Sequence, residues 1–377
     1  MSDDNGISDC LITSPEGYAL RPRKRRVVIQ AVESTDSGTS VTDHFRVEDE
    51  ARAWDAFYTN NEKSDEPFSG FGTKATVSMI RTCLRRLWSP PLINKHDIIL
   101  EVGHGKHPLL WDLQRAFGAF RHYTGIEFSR GSVHEAIKLR ERLTGKDPLA
   151  STGDNVEFLC ATNVKYFNSD GSCNAEVVFP SEESQPWLRA GAVTLLFAKS
   201  TLDYITCRLT GSVDSMDWED QPRIAPSVVE MFDSLSLALD EPSAGRVPTI
   251  IFVEPGYDGK TATLCHMLYR DFVKFRDHIA TIVRVIYSAT FRTKSPAKWL
   301  RLTLVRRYKN HKAVCYTLQK TQETYECYAD LRADIYRVTS GLYELSSAQD
   351  DDWLLPINVP PKWNSVSGCD LEQLSAI

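Results

Sequence analysis

The sequence predicts an α/β fold: a doubly wound, mostly parallel seven-stranded sheet that ends in an antiparallel hairpin. Short apolar, β-branched segments alternate with segments of helical periodicity, which is typical of parallel strands covered by helices on both faces. Near the end of this region, two β-rich runs are joined by Lys309-Asn310-His311, which indicates a hairpin. A parallel sheet that finishes in a hairpin is the most informative part of this pattern.

The individual elements follow from the spacing of apolar residues. Parallel strands are predicted at 97–102, 122–127, 156–160, 193–198 and 249–254, and hairpin strands at 299–308 and 312–320. Helices are predicted at 50–58, 74–88, 108–117, 132–142, 226–239, 260–275 and 325–345. Pro90-Pro91 ends the second of these helices, because proline removes a helix donor and clashes with the preceding turn.

Composition narrows the class of protein. The net charge of −6 argues against a surface that coats nucleic acid. No apolar run has the length of a membrane span, and the first residues lack a secretory or transit pattern, so we expect no membrane association. The nine cysteines are scattered and never spaced C-x-x-C, which predicts a reducing compartment, the cytoplasm, and no bound metal.

The chain is predicted to contain three regions. Residues 1–47 lack periodicity and form a disordered arm, whose basic cluster Arg21–Arg26 is either a solvated tail or a segment that contacts RNA or directs nuclear import. Residues 48–322 form the folded domain, with polar insertions near 168–190 and 211–221. We expect both insertions near the ligand-binding edge, as substrate-contact loops or as tolerated insertions. Residues 323–377 form a helical segment and an extended tail.

The strongest functional signal is Glu101-Val102-Gly103-His104-Gly105, an apolar strand that runs into an acid and a Gly-x-Gly turn. Glycines at such a turn let a ligand approach the backbone, and the helix that follows offers free N–H groups. The turn therefore either holds a nucleotide-like cofactor or is a tight turn that binds no ligand. Pro108 stands where the dinucleotide-binding pattern has its third glycine.

Polar residues also follow two further strands. Glu127 ends the second strand, where an acid accepts hydrogen bonds from ribose hydroxyls or stabilises the start of the next helix. The cluster from Lys199 to Tyr204 follows the fourth strand, where active sites occur in open α/β sheets, and Ser200 or Thr201 is also suited to capping a helix there.

Together these residues resemble a class I, seven-stranded S-adenosylmethionine-dependent methyltransferase. Glu101–Gly105 is similar to its glycine loop and Glu127 to its ribose-binding acid. More narrowly, Lys199-Ser200-Thr201-Leu202-Asp203 resembles the signature of the lysine methyltransferases that modify translation elongation factor 1-alpha. Trp54-Asp55-Ala56-Phe57-Tyr58 and Pro67-Phe68-Ser69-Gly70-Phe71-Gly72 resemble N-terminal elements of the same group.

The resemblance implies methyl transfer from S-adenosylmethionine to a lysine of a protein substrate, such as a translation factor. The alternatives are an RNA or small-molecule substrate, with the basic arm contacting RNA, and an inactive protein that keeps the fold. The sequence departs from the family pattern at Ala198, where an acid is usual, and at Ser200, where glycine is usual. The sequence does not predict the oligomeric state.

The resemblance also assigns residues to the site. The cofactor-binding residues that it implies are Trp54, Tyr58, Glu101, Gly103, Gly105, Glu127, Phe128, Thr162, Asn163, Ala198 and Lys199. Thr162 or Asn163 replaces the acid that often holds the adenine amino group. Asp203, Tyr204 and Glu254 are predicted to orient the substrate amine. Since the cofactor carries the reactivity, the protein mainly supplies orientation and electrostatics.

Overall fold

The computed structural model of the chain describes part of its length. The described residues are 52, 55–56, 72–144, 155–161, 164–179, 185–202, 226–242, 246–255, 279, 282–287, 289–290, 300–308, 313–320, 328–344 and 354–356. The chain divides into two units, 1–44 and 45–377, and every described residue belongs to the second. The predictions for the N-terminal arm, for the 211–221 insertion and for the 260–275 helix lie outside the described residues.

The elements agree closely with the predicted ones. The helices are α1 (Thr73–Leu87), α2 (Leu110–Phe117), α3 (Arg130–Thr144), α4 (Pro226–Ala238) and α5 (Tyr328–Glu344). The strands are β1 (Ile98–Val102), β2 (His122–Glu127), β3 (Val156–Cys160), β4 (Glu176–Phe179), β5 (Leu195–Lys199), β6 (Thr249–Pro255), β7 (Leu300–Tyr308), β8 (Ala313–Lys320) and β9 (Leu354–Pro356). Residues 282–287 are also helical. None of the described helices has the length and apolar character that a membrane span needs.

The strands form one sheet in the order β4-β3-β2-β1-β5-β6-β8-β7-β9. The strands from β3 to β6 in this order are parallel, and β8 and β7 form the antiparallel hairpin that the sequence predicts. The architecture is therefore confirmed, but the sheet has nine strands rather than seven. The difference arises because β4 and β9 add one short antiparallel strand to each edge.

Both faces of the sheet are covered, as a doubly wound fold requires. Along β1, Leu100 and Val102 belong to one buried cluster, and Ile99 belongs to another on the opposite face. The helices α1, α2 and α3 supply side chains to the second cluster, whereas α4 and the 282–287 helix supply side chains to the first. Strands buried on both faces need near-continuous apolar sequence, which is why these segments are easy to recognise.

The predicted insertion at 168–190 is largely part of the fold. It contains β4, and its end packs near the amino ends of the parallel strands, away from the edge where we expected the whole insertion. The buried Glu157 of β3 accepts the N–H groups of Trp187 and Leu188 at 2.9 and 3.0 Å. The Trp187 ring lies against His122, the first residue of β2, with 5.7 Å between the ring centres.

Candidate functional site

The carboxyl ends of the parallel strands lie at one edge of the sheet, because parallel strands share a direction. This carboxyl edge brings together the Gly103–Gly105 turn after β1, Glu127 at the end of β2, and the segment after β5. The chain leaves β1 towards β2 on one side, while β5 pairs with β1 on the other side. Ligands of open α/β sheets bind at such a switch point.

The glycine turn has the backbone that only glycine adopts easily. Gly103 and Gly105 have positive φ angles of 72° and 58°. A Cβ atom on Gly103 would lie 2.5 Å from Oγ1 of Thr201, which is far inside van der Waals contact. The neighbouring loop therefore requires glycine at position 103, a constraint that the sequence motif alone does not reveal.

Glu127 joins the second strand to the glycine turn. Its Oε2 accepts the Gly105 N–H at 2.8 Å, and its Oε1 accepts the N–H groups of Phe128 at 2.8 Å and Ser129 at 3.3 Å. Burial raises the pKa of Glu127, and these hydrogen bonds oppose that rise by stabilising the carboxylate. The side chain is only 7% exposed, so its orientation is fixed at the edge of the site.

Glu101 bridges β1 to the neighbouring elements. Its Oε2 accepts the hydroxyl of Tyr123 on β2 and, at 2.8 Å, the N–H of Leu109 at the start of α2. The side chain is almost fully buried, and burial raises its pKa to about 7. The carboxyl group thus holds the loop that follows the glycine turn.

His104, which sequence reasoning did not single out, packs between the glycine turn and the sheet. Its Nδ1 lies 2.6 Å from the carbonyl oxygen of Gly105, and its ring packs edge-on against Phe158 with 5.4 Å between ring centres. A Cβ on Gly125 of β2 would come within 2.9 Å of both rings. Burial lowers the pKa of His104 to about 4, so the ring is neutral at physiological pH.

The segment after β5 closes against the glycine turn. Burial lowers the pKa of Lys199 to about 8, although the nearby Glu101 opposes this. Ser200 has a φ of 55° and donates its N–H to the carbonyl of Val253 at 2.9 Å. Thr201 directs its hydroxyl towards the carbonyls of Val102 and Lys199, at 3.3 Å from each.

Glu254, at the end of β6, anchors the same segment. Its Oε1 accepts the N–H of Leu202 at 3.0 Å, and the side chain is only 1% exposed. The structure therefore shows a positioning contact for Glu254, and the predicted role in orienting a substrate amine remains a prediction.

Asp55 is a second residue that sequence reasoning missed, although its aromatic neighbours were singled out. Its Oδ1 accepts the Ser129 hydroxyl at 2.5 Å and the Gly131 N–H at 3.2 Å. Ser129 in turn accepts the Ser132 N–H at 3.1 Å. Asp55 and Ser129 together satisfy donors at the start of α3, beside Glu127.

The remaining predicted site residues fall into two groups. Phe128 is half-buried against the core, and Ala198 is buried at the end of β5. Cys160, which is not among the predicted site residues, ends β3 at the same edge, and burial raises the pKa of its thiol to about 11. The residues Trp54, Tyr58, Thr162, Asn163, Asp203 and Tyr204 lie outside the described part of the chain. In the part of the chain that is described, no group of His, Cys, Asp and Glu residues is arranged to hold a metal ion.

Known proteins were compared with the chain by sequence and by structure. The chain matches no protein-family model and no curated protein sequence. It is similar to the crystal structure of a SAM-dependent methyltransferase from Aquifex aeolicus, with 12% identity and a TM-score of 0.38 over 70% of this chain and 96% of that chain. It is also similar to a complex of the Haloferax volcanii Trm112 methyltransferase activator with a putative methyltransferase, with 10% identity and a TM-score of 0.38 over 74% of this chain and 100% of that chain.

A third similar structure is magnesium protoporphyrin IX methyltransferase from Synechocystis PCC 6803 with bound SAM. Its identity is 11% and its TM-score is 0.37, over 76% of this chain and 100% of that chain. At such identities and TM-scores an activity does not carry over from one protein to another. The assignment of a function therefore rests on the geometry of the site.

Proposed function

We propose that the chain is an S-adenosylmethionine-dependent methyltransferase. The observation that carries this proposal is the carboxylate of Glu127, which lies one strand away from the glycine turn and accepts the N–H of Gly105 at 2.8 Å. An acid in this place accepts hydrogen bonds from the hydroxyls of a nucleoside ribose. Each carboxylate oxygen has two lone pairs, so Glu127 has acceptor capacity left for a ligand.

The start of α2 favours a nucleoside without phosphate. In dinucleotide-binding sheets, the N-terminus of this helix faces the pyrophosphate. Here the N–H of Leu109 is already bonded to the Glu101 carboxyl group, and Pro108 replaces the third glycine of the motif. The Leu109 N–H is therefore not available to an anionic pyrophosphate, which would also lie close to the acidic Glu101. A sulfonium nucleoside instead carries a positive charge that acidic side chains attract.

Glu127, Gly103 and Gly105 would hold S-adenosylmethionine. The bound cofactor would supply a methyl group on a positively charged sulfur. The chain's own contribution is to orient the acceptor and to exclude water. A lysine acceptor, with an ordinary pKa of about 10.4, must lose its proton before it can react. Burial at this edge of the sheet lowers the pKa of an amine, as Lys199 shows with a pKa of about 8. A substrate amine buried beside it would be deprotonated more readily for the same reason.

As the acceptor we propose a lysine of a protein, in particular of a translation factor. The resemblance of Lys199–Asp203 to the lysine-methyltransferase signature supports this proposal. The hydrogen bond that the Leu202 N–H donates to Glu254 also supports it, because it fixes the backbone directly before Asp203. Asp203 and Tyr204 are the residues proposed to orient the amine. The described cysteines are all free thiols, which supports a cytoplasmic location.

The basic cluster Arg21–Arg26 favours RNA as the second candidate substrate. Labelled methyl transfer into a cell extract, treated in parallel with protease and with nuclease, separates the two candidates. We expect protease to remove the label. Loss of all label after nuclease treatment would instead establish RNA as the acceptor and overturn the protein assignment.

Calorimetry with S-adenosylmethionine and S-adenosylhomocysteine tests the cofactor. We expect Glu127→Ala to weaken binding at least tenfold, which corresponds to about 1.4 kcal/mol. Glu176→Ala is the matched control, because Glu176 lies near the same edge but is exposed and paired with Arg130 at 2.7 Å. Absence of binding by the wild-type protein at millimolar ligand would overturn the proposed activity.

A further inference from the structure

An exposed aromatic ring lies at the amino ends of the parallel strands, the edge of the sheet opposite the candidate site. Trp187 is 39% exposed, and with Leu92 and Tyr336 it belongs to the large apolar residues that are exposed in the described part of the chain. Its N–H is bonded to the buried Glu157, and its ring lies against His122, with 5.7 Å between the ring centres. The ring is therefore held in place while part of it is open to solvent.

Exposed cations continue the same amino edge. Arg121 directly precedes His122, and its N–H is bonded to the carbonyl oxygen of Asp97 at 2.8 Å. Asp97 closes the turn that contains Lys95 and His96, both of which are exposed. Arg121 is also exposed, and neither Arg121 nor Lys95 forms an ion pair within the part of the chain that the structure describes.

The acids of this edge do not cancel those two charges. Asp97 is buried and paired with Arg246 at 3.1 Å. The exposed Asp240 and Glu241 lie to one side, where they line a small cavity with His96 and Arg246. The edge is therefore positive on the side that leads towards the exposed tryptophan, although the chain as a whole has a net charge of −6.

We propose that this edge is a docking surface for single-stranded RNA. The amino-edge strip consists of Lys95, His96, Arg121, His122 and Trp187. Bases stack on aromatic rings, and arginine and lysine neutralise phosphates, which is the combination that single-strand sites use. A single exposed ring is common on protein surfaces. A ring held beside unpaired cations is suited to a ligand that has both flat bases and negative charge.

The dimensions of the strip fit a short segment of RNA. The strip crosses the starts of β1, β2 and β3, which are neighbours in the sheet. Two strand spacings amount to about 10 Å, the length of about three stacked nucleotides. Because the strip and the candidate site lie at opposite ends of the strands, RNA bound here is a docking partner and not the methyl acceptor. The inference does not depend on the proposed activity.

Fluorescence anisotropy with a labelled uridine oligonucleotide, at several salt concentrations, tests the strip in the full chain. We expect Trp187→Ala to weaken binding about tenfold and to leave the salt dependence unchanged, because stacking involves no phosphate. Arg121→Gln and Lys95→Gln should each weaken binding about fivefold at about 0.1 M salt. Each should also reduce the slope of log affinity against log salt by about 0.7, the effect of one lost phosphate contact on a single strand.

Matched controls come from α5, which contacts β9 at the far end of the sheet. Tyr336→Ala removes another exposed ring and Arg332→Gln another exposed cation, and neither should change the affinity for RNA. Equal losses for Tyr336→Ala and Trp187→Ala would overturn the proposal. Melting temperatures close to that of the wild-type protein would show that the variants are folded, and the two glutamine variants change only exposed side chains.

Two further outcomes would assign the binding elsewhere. RNA binding that is insensitive to all three strip variants would place the RNA on the basic cluster Arg21–Arg26 and overturn the proposal. Displacement of the RNA by polyglutamate of equal charge would overturn it too, since the strip would then be a site for an acidic protein. A wild-type protein that binds RNA through the strip but binds no S-adenosylhomocysteine would overturn the proposed function and support this inference.

Discussion

Gly103 and Thr201 occupy adjoining space at the carboxyl edge, although they are far apart in sequence. The hydroxyl of Thr201 lies where a side chain on Gly103 would begin, at 2.5 Å from the ideal Cβ position. Gly103 therefore meets two demands, a left-handed backbone and the absence of a Cβ atom. At the scale of single residues these demands can be measured separately.

We expect Gly103→Ala to lower the free energy of unfolding by about 3 kcal/mol, from backbone strain and overpacking together. Gly191→Ala is the matched control, because Gly191 also has a positive φ angle, 73°, but nothing lies within 4 Å of its Cβ position. Its cost should be about 1 kcal/mol. Urea unfolding measures both.

The crowding component is tested by repeating the substitution in a Thr201→Ala background. With the hydroxyl removed, the cost of Gly103→Ala should fall towards that of Gly191→Ala. An unchanged cost in that background would show that Thr201 does not cause the penalty.

Glu101 and His104 predict opposite pH dependences for folding. Burial raises the pKa of Glu101 from 4.5 to about 7, so its contribution to stability is lost as the pH rises through that window. Burial lowers the pKa of His104 from 6.5 to about 4, so its contribution is lost as the pH falls through that window. In the wild-type protein the two effects largely offset each other.

We expect Glu101→Gln to expose the His104 effect. Between pH 7 and pH 4.5 this variant should lose on the order of 3 kcal/mol more stability than the wild-type protein. His104→Gln should change the pH dependence in the opposite direction. Urea unfolding at several pH values measures this, and parallel curves for Glu101→Gln and wild type would contradict the shifted pKa of Glu101.

At the scale of elements, the start of α3 connects the N-terminal segment to the ligand-binding edge. Asp55 accepts hydrogen bonds from Ser129 and Gly131, and the neighbouring N–H of Phe128 is bonded to Glu127. A change at Asp55 therefore acts on a helix cap and, through that cap, on the orientation of Glu127.

We expect Asp55→Ala to lower the free energy of unfolding by about 1 kcal/mol, as other lost helix caps do, and to weaken the binding of S-adenosylhomocysteine. Ser129→Ala should have a similar effect. The double variant should be little worse than either single variant, because both residues serve one hydrogen-bonded unit. Fully additive losses of stability would show that the two residues act independently.

The elements that the sequence predicts well are those with a continuous apolar signal. Strands β2 and β3 match the predicted ranges because both of their faces are buried. By contrast, β4 has four residues and β9 has three, which is too short for periodicity to register. Their pairing is determined by the edges of the finished sheet, which a local pattern does not contain.

In the candidate site, too, some residues are predicted by local sequence and others are revealed only by the folded structure. The motifs predict Gly103, Gly105 and Glu127, since each belongs to a short local pattern. The bond between Ser129 and Asp55 spans 74 positions in the chain and leaves no local signal. The contact between Gly103 and Thr201 likewise joins loops from two different strands, so only the folded structure reveals it.

At the scale of the whole molecule, the site predicts which ligands stabilise the fold. S-adenosylhomocysteine at about one hundred times its dissociation constant should raise the free energy of unfolding by about 2.7 kcal/mol. NAD⁺ at the same concentration should leave the melting temperature unchanged, because Glu101 occupies the donor of Leu109 at the start of α2. Thermal denaturation with each ligand measures this. Equal stabilisation by both would contradict the preference for a cofactor without phosphate.

The contact between Gly103 and Thr201 also has a consequence for engineering. The two loops are shaped to fit each other, so a graft that replaces the segment after β5 with that of another protein would bring a new side chain against the glycine turn. We expect a chimera to bind the ligand only if both loops are transferred together and the distance between β1 and β5 is the same in the two proteins. Segments of this protein should therefore be exchanged as the pair of loops, and not as either loop alone.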